Sequence, residues 1–285
     1  MKTQKVWFIT GASRGFGFEI AKAALAQGDQ VVATVRKHPD QLAAALQSHP
    51  NLLVTVVDVT QPEQVKAGVR QAIQYFSRID VLVNNAGYGF LGAFEEATEA
   101  EISRQFETNV FGLLRVTQAV LPYMREQQTG HIINVSSLFG YQASAPGFGL
   151  YGSTKFAVEG ISEGLALEVN PLGIRVTALA PGLFTTDFLS GDSYVTAANV
   201  LEAYAPTVGR LRAAAGQIHG NQPGDPAKLA QVVLQLVDTP TPPVHLPVGK
   251  DAVAAFRSKV AAMEAEVNAW ESISASTDRQ IQGVS

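Results

Sequence analysis

Cysteine is missing from all 285 residues. That removes disulfide frameworks, thiol nucleophiles and thiolate metal sites, and it points to a reducing compartment, the cytoplasm. Charge is sparse at 16%, with 21 Lys plus Arg against 25 Asp plus Glu, a net of −4. A mildly acidic chain without a basic block is a poor match for nucleic acid or an anionic membrane. No apolar stretch approaches the roughly 18 uninterrupted residues of a membrane span. The run from Val6 to Ile9, after the basic start, is too short for a signal peptide. The five histidines (His38, His49, His131, His219, His245) show no pair at metal-ligand spacing. They read as surface or loop residues, and no metal site is expected.

What the chain does have is apolar content, 46%, enough for a full core. Short β-branched runs at Val6–Thr10, Gln30–Val35, Leu52–Val57, Val81–Val83, His131–Val135, Gly173–Leu179 and Val244–Val248 read as strands. Several are apolar on consecutive residues, as strands covered on both faces are. Between them lie helical patterns at Phe16–Gln27, Gln61–Phe76, Thr98–Met124, Tyr151–Val169 and Pro226–Val237. Strand-then-helix repetition calls for right-handed crossovers, hence an α/β, doubly wound (Rossmann) fold of about seven parallel strands with helices on both faces.

One domain is expected over residues 1–250, interrupted at 184–224 by a Gly-, Pro- and aromatic-rich insertion of the kind that covers a site. Within it Phe184, Phe188, Tyr194 and Tyr204 either line an apolar pocket or pack the segment onto the body. A helix is expected at 251–271, then a flexible tail at 272–285. Val253, Phe256, Val260, Met263, Val267 and Trp270 recur at spacings of three and four along that helix. Such a narrow seam fits packing on its own body or contact with another subunit.

Thr10-Gly11-Ala12-Ser13-Arg14-Gly15-Phe16-Gly17 follows the first strand and opens the first helix. Glycines let the backbone turn tightly and approach a pyrophosphate, and the free N–H groups of the helix start attract the anion. The spacing is G-x-x-x-G-x-G rather than G-x-G-x-x-G, but its place at the first strand-to-helix junction of a doubly wound sheet favours a dinucleotide. An NAD site would put a carboxylate at the end of the second strand; here that strand ends Val35-Arg36-Lys37. Arg36, with Arg14 opposite, suits a ribose phosphate, so NADP(H) is expected over NAD(H).

Tyr151 and Lys155 stand four apart on one helix face. A free tyrosine titrates near 10, and a neighbouring ammonium, helped by a cationic cofactor ring, is expected to pull it down into a useful acid–base range. Ser136 and Ser137 end the strand before and can point into the same cleft.

Taken together, Thr10-Gly11-x-x-x-Gly15-x-Gly17, Asn84-Asn85-Ala86-Gly87, the Ser–Tyr–Lys set and Pro181-Gly182 resemble the short-chain dehydrogenase/reductase family, of the classical single-domain type, from about Lys5 to Val248. The resemblance implies Tyr151 as the acid–base, Ser137 as the serine that orients the reacting oxygen, and Lys155 as the group that tunes the tyrosine and holds the nicotinamide ribose. It implies Asn109 as the anchor of a water chain to Lys155, and Asp58, followed by Val59, as the adenine contact. Gly11, Ser13, Arg14, Gly15, Phe16 and Gly17 would cradle the cofactor, Asn85, Ala86 and Gly87 would support it, and Pro181, Gly182 and Thr186 would hold the carboxamide. For Asn84, a turn-stabilising amide and a direct cofactor contact stay open. The family places its serine thirteen residues before the tyrosine, a position that is Leu138 here. Ser137 therefore implies one extra residue in the Tyr141–Leu150 loop, with Ser136 as the alternative. A homodimer or homotetramer through the helices Thr98–Met124 and Tyr151–Val169 is also implied.

Two other motif matches fail on context. Gly160-Ile161-Ser162-Glu163-Gly164 fits G-x-S-x-G but sits inside a helical pattern, not at a strand–turn–helix elbow. Asn134-Val135-Ser136 is a sequon in a strand that reads as buried. The expectation is an NADP(H)-dependent oxidoreductase acting on an apolar small-molecule ketone, aldehyde or secondary alcohol, with steroid, fatty-acyl, retinoid and small aromatic ketones all open. Its rivals are a non-catalytic NADP(H)-sensing protein on the same fold, and an epimerase or dehydratase that retains its nucleotide.

Overall fold

The first strand, β1 (Val6–Ile9), sends Trp7 and Ile9 to one face of a sheet and Phe8 to the other, all fully buried. A strand apolar on both sides needs helices on both sides. The computed structural model describes residues 4–185, 194–218 and 222–279. Its strands continue as β2 (Gln30–Val35), β3 (Leu52–Val56), β4 (Val81–Asn84), β5 (Gly89–Leu91), β6 (Gly130–Val135), β7 (Ile174–Pro181), β8 (Tyr194–Thr196) and β9 (His245–Val248). Seven of them form one parallel sheet in the order β3-β2-β1-β4-β6-β7-β9. The order reverses direction between β1 and β4, which opens a crevice beyond their carboxyl ends.

Helices α1 (Gly15–Ala26), α2 (Pro39–Ala45) and α8 (Pro226–Asp238) pack one face, through Ile20, Leu42 and Val233 among others. The other face takes α3 (Pro62–Phe76), α5 (Gly112–Gln127) and α6 (Gly149–Val169) through Val69, Val120 and Ala166. The doubly wound sheet expected from the strand–helix alternation is the fold observed.

Three expectations need correcting. The single helix expected at Thr98–Met124 is α4 (Glu99–Phe106), a five-residue π turn (Glu107–Phe111) and then α5. Thr98 caps it with Glu101 in a reciprocal capping box, and the π turn absorbs an extra residue where Asn109 faces inward. The insertion at 184–224 holds more structure than its weak pattern suggested. Its strand β8 pairs with β5 in a two-stranded parallel ribbon, and α7 (Arg210–Ile218) follows a 3₁₀ turn and a π turn. The C-terminal helix α9 runs Lys250–Ala275, four residues past the expected end, and only its first turns touch the body. No described helix is long and apolar enough to cross a membrane.

The histidines also depart from a uniform surface reading. His131 is 5% exposed, inside β6. His245 is half-buried, with Nδ1 2.6 Å from Glu159 and Nε2 2.8 Å from Glu163. Both lie in strands expected from the sequence, but the partners that bury them are remote along the chain.

Candidate active site

The glycine turn follows β1. Gly11 and Gly15 take φ values of +66° and +57°, which side chains rarely tolerate. A Cβ on Gly17 would stand 2.6 Å from both the Asn85 side-chain nitrogen and the Gly11 carbonyl. The same Asn85 amide donates to the carbonyls of Thr10 (3.0 Å) and Gly11 (2.9 Å), and Thr10 Oγ1 accepts from the N–H groups of Asn85 and Ala86. The ends of β1 and β4 thereby brace each other. At the start of α1 no side chain caps the helix, so its first N–H groups face the crevice.

That crevice holds about 900 Å³. One end is lined by Gly11, Ser13, Arg14, Gly15, Phe16, Arg36, Asp58 and Val59. Asn85, Ala86, Gly87, Pro181 and Gly182 line the middle, and Ser137, Tyr151 and Lys155 stand along one side. A glycine cradle that a Cβ would fill, uncapped helical N–H groups and two arginines suit the phosphates of a dinucleotide. Asp58 accepts from the backbone N–H and hydroxyl of Thr60, which fixes its carboxylate at the crevice wall. Thr186 and Phe188 lie outside the described residues.

Tyr151, in the first turn of α6, is 5% exposed and hydrogen-bonded to the Ser137 hydroxyl. Lys155, one turn on, donates from Nζ to the Val135 carbonyl at 2.8 Å and sits 5.7 Å from the centroid of the Tyr151 ring. Within the protein alone, burial acts against the lowering expected with a cationic cofactor ring beside the tyrosine. Burial pushes Tyr151 up to about 12, against a smaller downward pull from Ser137. Burial likewise lowers Lys155 to about 8, which Glu159 one turn further on partly offsets. In this arrangement desolvation outweighs the stabilisation that the phenolate receives.

The two serines separate in space. Ser137 caps a 3₁₀ turn (Leu138–Gly140), accepting from the Phe139 N–H at 3.2 Å, and reaches Tyr151. Ser136 turns back towards the Lys155 carbonyl and Glu159. The loop between Ser137 and Tyr151 turns at Gly147, φ +84°, just before α6 starts at Gly149.

Asn109 sits beneath this group rather than in the crevice lining. Its amide donates to the Tyr88 carbonyl (3.0 Å) and Thr154 Oγ1 (3.1 Å), while its oxygen accepts from the Tyr88 N–H (3.1 Å). Asn84 donates to Thr117 and Asn134, both at 2.9 Å, and is fully internal: the structural of its two readings. Ser162 lies mid-helix in α6, donating to the Val158 carbonyl, so it forms no nucleophile elbow.

Of the described aromatics singled out in the insertion, only Phe184 lines the crevice, edge-on to Phe16 at 5.3 Å. Tyr194 packs on Phe148, and the Tyr204 hydroxyl donates to Glu95 at 2.7 Å. The wall beyond Tyr151 comes instead from Leu138, Phe139, Phe148, Val195 and Leu211, with Arg104 and Tyr88 beside it. Sequence reasoning missed these. Phe139 and Phe148 flank the loop between the serine and the tyrosine, which was the signal available.

Comparison with known proteins gives a consistent picture. The family model for short chain dehydrogenases matches residues 5–193. The chain is 39% identical over 271 residues to oxidoreductase BOA17 of Botryotinia fuckeliana, covering 95% of this chain and 98% of that one. It is 40% identical over 245 residues to the 3-ketodihydrosphingosine reductase of Bacteroides thetaiotaomicron, covering 86% and 88%. Among solved structures, a short-chain dehydrogenase from Streptomyces avermitilis superposes with a TM-score of 0.88 at 41% identity, over 96% of this chain and 100% of that one. Two more distant structures hold nucleotides. An alcohol dehydrogenase of Thermococcus sibiricus (26% identity, TM-score 0.70, 86% and 96% covered) is complexed with 5-hydroxy-NADP. A 3-ketoacyl-(acyl-carrier-protein) reductase of Brucella melitensis (28%, 0.71, 86% and 96% covered) is complexed with NADH.

Proposed function

The chain belongs to the short-chain dehydrogenase family, and from that premise we propose that it is an NADP(H)-dependent reductase of ketones or aldehydes, reversible towards secondary alcohols. Oxidoreductase chemistry with a nicotinamide dinucleotide is what the family does; the preference for the phosphorylated form and the substrate are our reading. The observation that carries it is the buried Tyr151 hydroxyl, paired with Ser137 and one helical turn from Lys155, in the same crevice as the glycine cradle.

When bound, the nicotinamide supplies or accepts the hydride at the carbonyl carbon. Tyr151 donates its proton to the carbonyl oxygen in reduction, which leaves an alcohol and a phenolate. A phenol held near 12 is fully protonated at neutral pH and is set for that direction. Ser137 donates to the same oxygen and fixes its position. Lys155, still an ammonium at neutral pH, stabilises the phenolate once charge develops there. Asn109 is a positioning residue: it locks the Tyr88 turn to Thr154, between Tyr151 and Lys155 on α6. Arg36 and Arg14 would receive the ribose phosphate, and Asp58 with Val59 the adenine. Pro181 and Gly182, with Thr186 beyond the described residues, would hold the carboxamide.

The apolar wall beyond Tyr151 and the substrate named for the Bacteroides relative both favour a ketone on an apolar chain. Composition favours the cytoplasm. The exposed Phe111 at the end of the π turn that leads into α5, with Phe156 and Leu167 on α6, favours a homodimer or homotetramer through that face. Tyr151→Phe is expected to lower turnover by at least 10³-fold, in line with loss of a general acid worth about 10²–10⁴. Nucleotide affinity should change less than threefold by fluorescence titration. Turnover within tenfold of the parent would reject the mechanism.

A further inference from the structure

The second half of α9 leaves the body. From Ala261 to Ala275 every residue is exposed, Val267, Trp270 and Ile273 by more than 60% and Met263 by 51%. A lone helix of about four turns is marginal in water, and an apolar stripe on it has nothing to bury. Only the first turns are anchored: Ala252 is buried, Asp251 accepts from the Leu183 N–H, and Phe256 packs edge-on against Tyr141 at 4.9 Å.

We propose that α9 pairs antiparallel with α9 of a second copy of this chain. The seam residues Val253, Phe256, Val260, Met263, Val267 and Trp270 alternate by three and four, so they occupy heptad positions a and d. Laid antiparallel about a two-fold axis between Ala261 and Ala262, all six are matched. Val253 meets Trp270 of the second copy, Phe256 meets Val267, and Val260 meets Met263. The flanking e and g positions choose the direction. Arg257 and Lys259 stand in the first turns, Glu264, Glu266 and Glu271 in the later ones. Antiparallel pairing sets Arg257 against Glu264 and Lys259 against Glu266 of the second copy. Parallel pairing keeps one attraction, Lys259 against Glu264, and adds a repulsion, Glu266 against Glu271.

The seam covers only about two and a half heptads, short for a free-standing coiled coil. The pairing is therefore an exchange of arms, in which each tip returns to the anchored base of the other helix. The acidic outer turns disfavour an anionic membrane as the occupant of this stripe. The surface is separate from the α5–α6 face and independent of the reaction.

The absence of cysteine makes a clean test possible. In the full-length protein, Met263→Glu combined with Val267→Glu should halve the solution mass seen by sedimentation equilibrium. An unchanged mass, or a monomeric parent, overturns the proposal. Under mild oxidation, an equimolar mixture of Phe256→Cys and Val267→Cys chains should give a disulfide-linked heterodimer, and Val267→Cys alone none. Cross-linking of Val267→Cys alone means parallel helices and rejects the register, as does no cross-link in the mixture. Flotation of the parent with phosphatidylglycerol vesicles, lost in the double variant while mass stays constant, would assign the stripe to lipid instead.

Discussion

His131 is the residue whose surroundings most constrain its chemistry. Thr177 donates its hydroxyl to the Pro243 carbonyl at 2.7 Å, so the 3.0 Å contact with His131 Nε2 requires the ring to carry its hydrogen there. The ring is a neutral donor locked between β6 and β7. Burial, reinforced by Arg175 and Lys5, lowers it to about 4. The unfolded chain therefore takes up the proton first on acidification. Stability is intact above the ordinary value of about 6.5 and is lost as pH falls through that value towards 4. At 1.36 kcal/mol per unit the loss is on the order of 3 kcal/mol. Urea unfolding at pH 7 and pH 4.5 should show a smaller difference for His131→Gln than for the parent; equal differences would discard this account. The same balance explains Tyr151. Desolvation is set by the whole fold, whereas the ammonium four residues away was all that the local sequence displayed.

Among the elements, the ribbon of β5 and β8 and the segment up to α7 are fastened by carboxylates, of which Glu96 is the buried one. Glu96 is fully buried and accepts from the N–H groups of Ala93 (2.9 Å) and Leu201 (3.0 Å) and from Arg212 (2.6 Å). It ties the chain after β5 to the loop and helix that carry Val195 and Leu211 to the crevice wall. Glu96→Gln keeps the shape but removes the charge that Arg212 pairs with. Amide hydrogen exchange over residues 194–214 should accelerate by at least tenfold, with β1, β4 and β6 unchanged. Exchange in the segment that stays at the parental rate would show that packing alone holds it.

Across the whole molecule, the sheet order places the glycine turn and Arg36 at one crevice with the Tyr151 helix, which lies over a hundred residues further along the chain. Ligand binding should stabilise this assembly as a unit, by about 2.7 kcal/mol at a hundred times Kd. At equal concentration NADPH is expected to raise Tm more than NADH does, and Arg36→Ala should bring the two shifts together. Equal shifts in the parent would mean that Arg36 does not select the phosphate.

Local pattern was enough to read the strand–helix alternation, the glycine turn and the Tyr151–Lys155 pair. Hydrophobic period and glycine's steric freedom act over a few residues, and those features need nothing else. The separation of Ser136 from Ser137 was not visible there, because two adjacent hydroxyls diverge only once the 3₁₀ turn and α6 are docked. Nor was the crevice wall of Phe139, Phe148 and Leu211, or the burial that raises Tyr151 and lowers Lys155 and His131. Those depend on which distant surfaces exclude water, and solvent exclusion belongs to the packed molecule, not to any short stretch of its chain.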